Sequence, residues 1–190
     1  IGLVKVMGRD SVWIAAFTTL ANPFVNYCLV PEEDFQLEKG PHALLPNLAG
    51  RLAKKHHAII LVAEGAGQEL FRKKSVRRDA SGNILKDDIG ILLKTEISRY
   101  MKKNGIDVTI KYFDPGYEIR SVCAVGEDAV FCTLLANAAV QAAMAGRTDM
   151  IVGHWANNFT HVPITLATSA RKKIPLDSPL WSCVKTMVCF

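Results

Sequence analysis

Three separated stretches of this sequence place polar side chains just beyond an apolar run. The first is Met7-Gly8-Arg9, which closes a run containing Ile1, Leu3, Val4 and Val6. Such a run is what a buried parallel strand wants, and Gly8 lets the backbone turn or approach a ligand closely past its end. Arg9 then stands at the rim where open α/β sheets bind ligands, and its forked donors suit a phosphate or a carboxylate. The second stretch, Ala63-Glu64-Gly65-Ala66-Gly67, repeats that layout with an acid in place of the cation. It would cradle a phosphate poorly, because it lacks a further glycine or lysine and brings an anion. A carboxylate at that place is better suited to accept hydrogen bonds from sugar hydroxyls. The third stretch runs from Asp114-Pro115-Gly116 into Tyr117, Glu118, Ile119 and Arg120. Proline and glycine fix a tight turn, and a phenol, an acid and a guanidinium follow within four residues, as in a ligand-contacting loop. Read singly, each stretch also fits an ordinary strand end with a surface arginine, a loop acid or a plain connection.

The elements that must position these groups alternate. Asp10 and Ser11 are good helix caps, and the Ala-rich segment 12–22 reads as a buried helix. Residues 25–30 form a short apolar strand ended by Pro31 and the acids Glu32, Glu33 and Asp34. A helix is predicted over 44–56 from Leu45, Leu48 and Leu52, and a continuous apolar strand over 58–63. Residues 71–86 look like a charged surface excursion. Segment 89–103 carries apolar residues at helical spacing, with Asp87 and Asp88 before it, Lys102 and Lys103 at its end and Gly105 as its stop. An alternating strand over 108–113 leads into the third stretch, a long Ala-rich helix over 127–146 packs closely on a sheet, and short strands follow at 150–152 and 162–167. The tail with Pro175, Pro179 and Trp181 is either docked or cut. Together these predict an α/β fold, a three-layer open, mostly parallel sheet with helices on both faces.

With 190 residues the chain amounts to one large domain or one and a half, and its 49% apolar content is that of a globular core. The net charge of +5 is spread in short clusters, so a solvated surface outranks nucleic-acid binding, while anionic small substrates fit well. Cys28, Cys123, Cys132, Cys183 and Cys189 form no CxxC pair and leave one over, which favours free thiols in a reducing cytoplasm. No run approaches the roughly 20 apolar residues of a membrane span, so no membrane partner is expected. His154 and His161 are too isolated to suggest a metal site.

Taken together, several pieces resemble one family. Val4-Lys-Val-Met-Gly-Arg9, Ala63-Glu-Gly-Ala-Gly-Gln68, Asp79-Ala-Ser-Gly-Asn83, Ile110-Lys-Tyr-Phe-Asp-Pro-Gly-Tyr-Glu-Ile-Arg120 and Ala142-Ala-Met-Ala-Gly146 resemble the C-terminal half of 6-phosphofructokinases. The likeness is closest to the plant-like and related bacterial ATP-dependent branch, with pyrophosphate-dependent relatives nearby. It implies that Met7, Gly8 and Arg9 contact fructose 6-phosphate, with Arg9 also stabilising charge on the moving phosphoryl group. Glu64 would bind sugar hydroxyls, and Tyr117, Glu118, Ile119 and Arg120 would form the segment in which Arg120 holds the 6-phosphate. Lys111 falls where some relatives place a phosphate-binding cation from a neighbouring subunit.

The resemblance further implies transfer of a phosphoryl group to the 1-hydroxyl of fructose 6-phosphate, in glycolysis. ATP or pyrophosphate and Mg2+ would be bound mainly by an N-terminal part outside this sequence, in a cytoplasmic, allosteric homo-oligomer. The family's glycine-rich nucleotide loop and its Thr-Ile-Asp-x-Asp segment do not occur in these 190 residues. Residues 1–190 therefore read as the sugar-phosphate-binding portion, inactive alone. The alternative is a non-catalytic sugar-phosphate-sensing or regulatory module of the same fold. One departure stands out: Val12-Trp13 replaces the family's Gly-Phe after Ser11.

Overall fold

Apolar residues on both faces of the central strands decide the architecture of the first part of the chain. A computed structural model describes residues 1–9, 13–40, 42–71, 78, 82, 85–170 and 172–189. Two compact units form, one from Ile1–Ile119 with the segment from Lys173 onward, the other from Arg120–Lys172.

In the first unit, β1 (Gly2–Val6) leads to α1 (Trp13–Ala21), β2 (Tyr27–Leu29), α2 (Leu44–Lys55) and β3 (Ile59–Ala63). After a short 3-10 turn at Gln68–Leu70 come α3 (Ile89–Lys103) and β4 (Lys111–Phe113). The sheet order is β2-β3-β1-β4, and every pairing is parallel. Leu3, Ile60 and Val62 face a core with Leu44, Leu45 and Leu48 of α2 and Ile89, Leu93 and Ile97 of α3. Val6, Leu61 and Ala63 point the other way, against Ala15 and Ala16 of α1. A strand buried on both faces has no polar side to show, which is why these strands read as continuous apolar runs.

Local chemistry sets the helix ends. Asp88 caps α3 by accepting hydrogen bonds from the backbone N–H groups of Gly90 and Ile91, and Lys102 and Lys103 lie in its last turn, favoured there by the helix dipole. β4 covers the last three residues of the alternation over 108–113, with Lys111 opposite Gly2 of β1. The 108–110 segment instead packs Val108 and Ile110 against the α3 side of the core.

α4 (Gly116–Ser121) follows β4 directly, so the predicted loop is a short helix that crosses from the first unit into the second. In the second unit, α5 (Gly126–Met144) is followed by an antiparallel hairpin of β5 (Met150–Trp155) and β6 (Asn158–Pro163) and by α6 (Ile164–Ala167). Ala156 and Asn157 both have positive φ at the hairpin tip, the two-residue turn that matches strand twist. The strand expected over 162–167 thus lies earlier, and residues 164–167 are helical. His154 and Phe159 pack with Phe131 of α5 at ring separations of 5.3–6.0 Å, the histidine edge-to-face with Phe131, a packing role for that histidine. Close packing along α5 is not general within its unit: Ala142 is its one buried residue, while Val130, Leu134 and Val140 are exposed.

The chain then returns to the first unit. α7 (Pro179–Met187) starts at Ser178, whose hydroxyl accepts the Trp181 N–H, and packs on α1. Trp181 and Val184 are buried among Ala15, Ala16 and Val30. The tail is docked, and it closes the second face of the sheet. All five cysteines are free, with Cys28 buried and Cys123, Cys132 and Cys183 exposed.

Candidate functional site

β1 and β3 run side by side and in register, Val6 opposite Ala63, so the chain leaves both at the same rim of the sheet. Pairing continues past the strands: Glu64 N–H donates to Val6 O at 3.0 Å and Gly65 N–H to Gly8 O at 2.9 Å. Gly8 holds φ at 147°, a backbone state that only glycine adopts easily, and Gly65 is buried against the Arg9 carbonyl. This backbone contact delivers two opposite charges to one place. Arg9 Nε lies 3.6 Å from Glu64 Oε1, each side chain about a third exposed.

Gln68 locks the loop. Its amide donates to Glu64 O at 2.9 Å and to Asp87 O at 3.0 Å, and its carbonyl oxygen accepts Asp87 N–H at 3.2 Å. The Glu64 loop is thereby tied to the start of α3. Met7 is half-buried.

A second charged cluster stands on the α3 side of the same rim. Lys5 Nζ reaches Asp88 Oδ2 at 2.9 Å and Asp114 Oδ2 at 2.8 Å. Tyr112 donates its hydroxyl to Asp88 at 2.9 Å. Burial pulls the Lys5 ammonium down, but its hydrogen bonds to Asp114, Asp88 and Tyr112 outweigh that and raise it above the ordinary lysine value. Asp88 is pushed up by burial, yet Lys5, Tyr112 and the Ile91 N–H hold it below the ordinary carboxyl value. The Tyr112 phenol is pushed up to about 12 by burial and by its bond to the Asp88 carboxylate.

The structure brings Arg9 and Glu64 together. Tyr117, Glu118 and Ile119 lie exposed on α4, which begins at the same rim because β4 lies beside β1. Arg120 is exposed on that helix where the second unit begins. Lys111 is different: opposite Gly2 it sits at the other end of β1 from Arg9, so within the first unit it does not join the site. Asp10, Ser11 and Val12, and the 79–83 motif apart from Gly82, lie outside the described residues. A cavity of about 570 Å³ between the residues after β2 and α7, lined by Phe35, His42, Trp181 and Lys185 among others, includes none of the predicted site residues.

Sequence reasoning passed over Lys5, Tyr112, Asp114 and Gln68 as site elements. Lys5 did carry a signal, a lone cation inside an otherwise apolar strand, which requires partners when buried.

A phosphofructokinase family profile matches residues 1–143, three quarters of the chain and all of the rim just described. The chain belongs to the phosphofructokinase family. An ATP-dependent 6-phosphofructokinase of Borreliella burgdorferi is 46% identical over 187 residues, covering 95% of this chain and 42% of that protein. One from Amycolatopsis methanolica is 42% identical over 195 residues, covering all of this chain and 42% of its own. An Arabidopsis thaliana ATP-dependent 6-phosphofructokinase is 41% identical over 184 residues, covering 96% and 38%. The chain thus spans about two fifths of the length of the curated relatives it matches. Among solved structures, the pyrophosphate-dependent phosphofructokinase of Marinobacter aquaeolei superposes with a TM-score of 0.63 at 18% identity, over 98% of this chain and 47% of that one. Phosphofructokinase from Saccharomyces cerevisiae gives 0.60 at 21% identity, over 98% and 22%. The phosphofructokinase fold expected from the sequence is the fold of this chain. No helix among the described residues is long and apolar enough to cross a membrane.

Family membership implies magnesium and a nucleotide. Among the described residues no group of three or more His, Cys, Asp or Glu side chains is placed to hold a metal. What the rim presents is a cation beside an acid, Arg9 next to Glu64.

Proposed function

We propose that residues 1–190 are the sugar-phosphate-binding portion of an ATP-dependent 6-phosphofructokinase, with nucleotide, magnesium and the catalytic aspartate supplied by an N-terminal part of a longer polypeptide. The reaction is phosphoryl transfer to the 1-hydroxyl of fructose 6-phosphate, giving fructose 1,6-bisphosphate. The observation that carries this reading is the approach of Arg9 to Glu64 at 3.6 Å on a rim fixed by glycine backbone.

That pair is loose and partly solvated, so each partner can turn to substrate at little cost. Glu64 would accept hydrogen bonds from the sugar hydroxyls. Arg9 would meet the negative charge that spreads over the transferred group, a role for which a guanidinium needs no proton movement. Tyr117, Glu118, Ile119 and Arg120 would line the sugar-phosphate, with Arg120 on the 6-phosphate, and Lys111 would serve a neighbouring subunit of a homo-oligomer in the cytoplasm.

The test is a coupled assay on the full-length polypeptide that contains this chain, with ATP and with pyrophosphate as donors. Transfer from ATP is expected, and Arg9→Ala should lower kcat about a hundredfold, on the order of 3 kcal/mol of transition-state stabilisation. Fructose 6-phosphate binding without transfer would instead make the protein a sugar-phosphate sensor. The isolated 190-residue chain is expected to be inactive yet to bind fructose 6-phosphate; calorimetry that finds no difference on Arg9→Ala with Arg120→Ala would reject the site.

A further inference from the structure

The cluster around Lys5 is the feature of the first unit that the proposed roles leave unused. Lys5 follows Leu3 on the same face of β1, but where Leu3 meets the core, Lys5 meets charge. Its ammonium bridges two carboxylates that belong to different elements. Asp88 is the cap of α3, already satisfied by two backbone N–H groups and by the Tyr112 hydroxyl. Asp114 is the first residue after β4 and immediately precedes Pro115 and α4.

An ammonium inside an apolar strand is costly unless paired, and capping α3 needs only Asp88. The second bond, to Asp114 at 2.8 Å, does something else: it fastens the residue from which α4 departs to the strand that ends in Arg9. Without the cation, two carboxylates now held within reach of one another would repel, and Asp114, about half exposed, would swing toward water.

We infer that Lys5 is a positioning residue for sugar-phosphate binding, holding the first turn of α4, with Tyr117 to Ile119, at the rim through Asp114. This rests on the function proposed above. It assigns Lys5 no contact with substrate.

The experiment uses the full-length polypeptide and compares Lys5→Met, Asp114→Asn and the double variant. Each single change should raise the KM for fructose 6-phosphate about 10- to 100-fold while the KM for the phosphoryl donor stays within about twofold. The double variant should be no worse than either single one, since both break the same link. Asp114→Asn removes only a half-exposed charge and carries the test even if Lys5→Met does not fold. An active Asp114→Asn protein with an unchanged sugar-phosphate KM would overturn this inference alone. Absence of transfer by the unsubstituted protein would overturn the proposed function, and the inference with it.

Discussion

Gly65 lies so close to Arg9 that a Cβ at this position would collide with the Arg9 carbonyl oxygen. The loop carrying the acid and the loop carrying the cation therefore touch backbone to backbone. Gly65→Ala should force them apart, costing about 1–3 kcal/mol as overpacking does. A urea titration reads that loss. An unchanged midpoint would mean that the two loops do not meet as closely as described.

Glu64 faces Arg9 without depending on it. Glu64→Gln keeps the shape and removes the charge, and the loose pair contributes little to folding. The unfolding free energy should stay within about 0.5 kcal/mol of the parent. Fructose 6-phosphate affinity, read by calorimetry, should fall by about 1–3 kcal/mol as a charged acceptor becomes a neutral one. Equal loss in both measurements would point to a structural role.

The Lys5 cluster makes stability depend on pH at the alkaline end. Lys5 and Tyr112 keep their protons in the fold to higher pH than in the unfolded chain. Above about pH 10 the unfolded chain binds fewer protons, so the contribution of both groups is complete below that pH and is lost as pH rises further. Asp88 acts oppositely, since its lowered value makes a contribution that is present above about pH 4 and lost below. Urea midpoints measured from about pH 8 to about pH 11, across the ordinary phenol and ammonium range, should fall less steeply in Tyr112→Phe than in the parent. Parallel slopes would count against the cluster.

Trp181 fills the core between α7 and the sheet and donates its indole N–H to Glu33 at 3.2 Å. Trp181→Ala should cost about 3–5 kcal/mol through lost burial and the cavity left behind. Hydrogen exchange is expected to quicken along α1 and α7, while α2 and α3, on the opposite face, keep their protection. Uniform loss across both faces would show the sheet to be a single cooperative unit instead.

Much of this was legible in the residues. α3 begins and ends where its acids and lysines said it should, and the apolar runs of β1 and β3 are parallel strands buried on two faces. Arg9 and Glu64 were legible as rim groups because glycine beside each marks a backbone that turns or approaches another. Their pairing was not, since register between β1 and β3 is a tertiary fact. Tyr117 to Arg120 read as a loop because Pro115-Gly116 is a turn signal, although the chain goes straight from that turn into α4 at Gly116. Lys5 was passed over for a different reason: its partners Asp88 and Asp114 lie far along the chain, and only the fold makes them neighbours.

The order of the layers has a consequence for how the protein is made. A ribosome delivers all four parallel strands and the α2 and α3 layer long before it delivers α7. Until Val184 has cleared the exit tunnel, Ala15, Ala16 and Leu61 lack the helix that shields them from water. One side of the sheet can mature during synthesis, whereas the other waits for α7 and keeps its apolar surface open on the nascent chain until then.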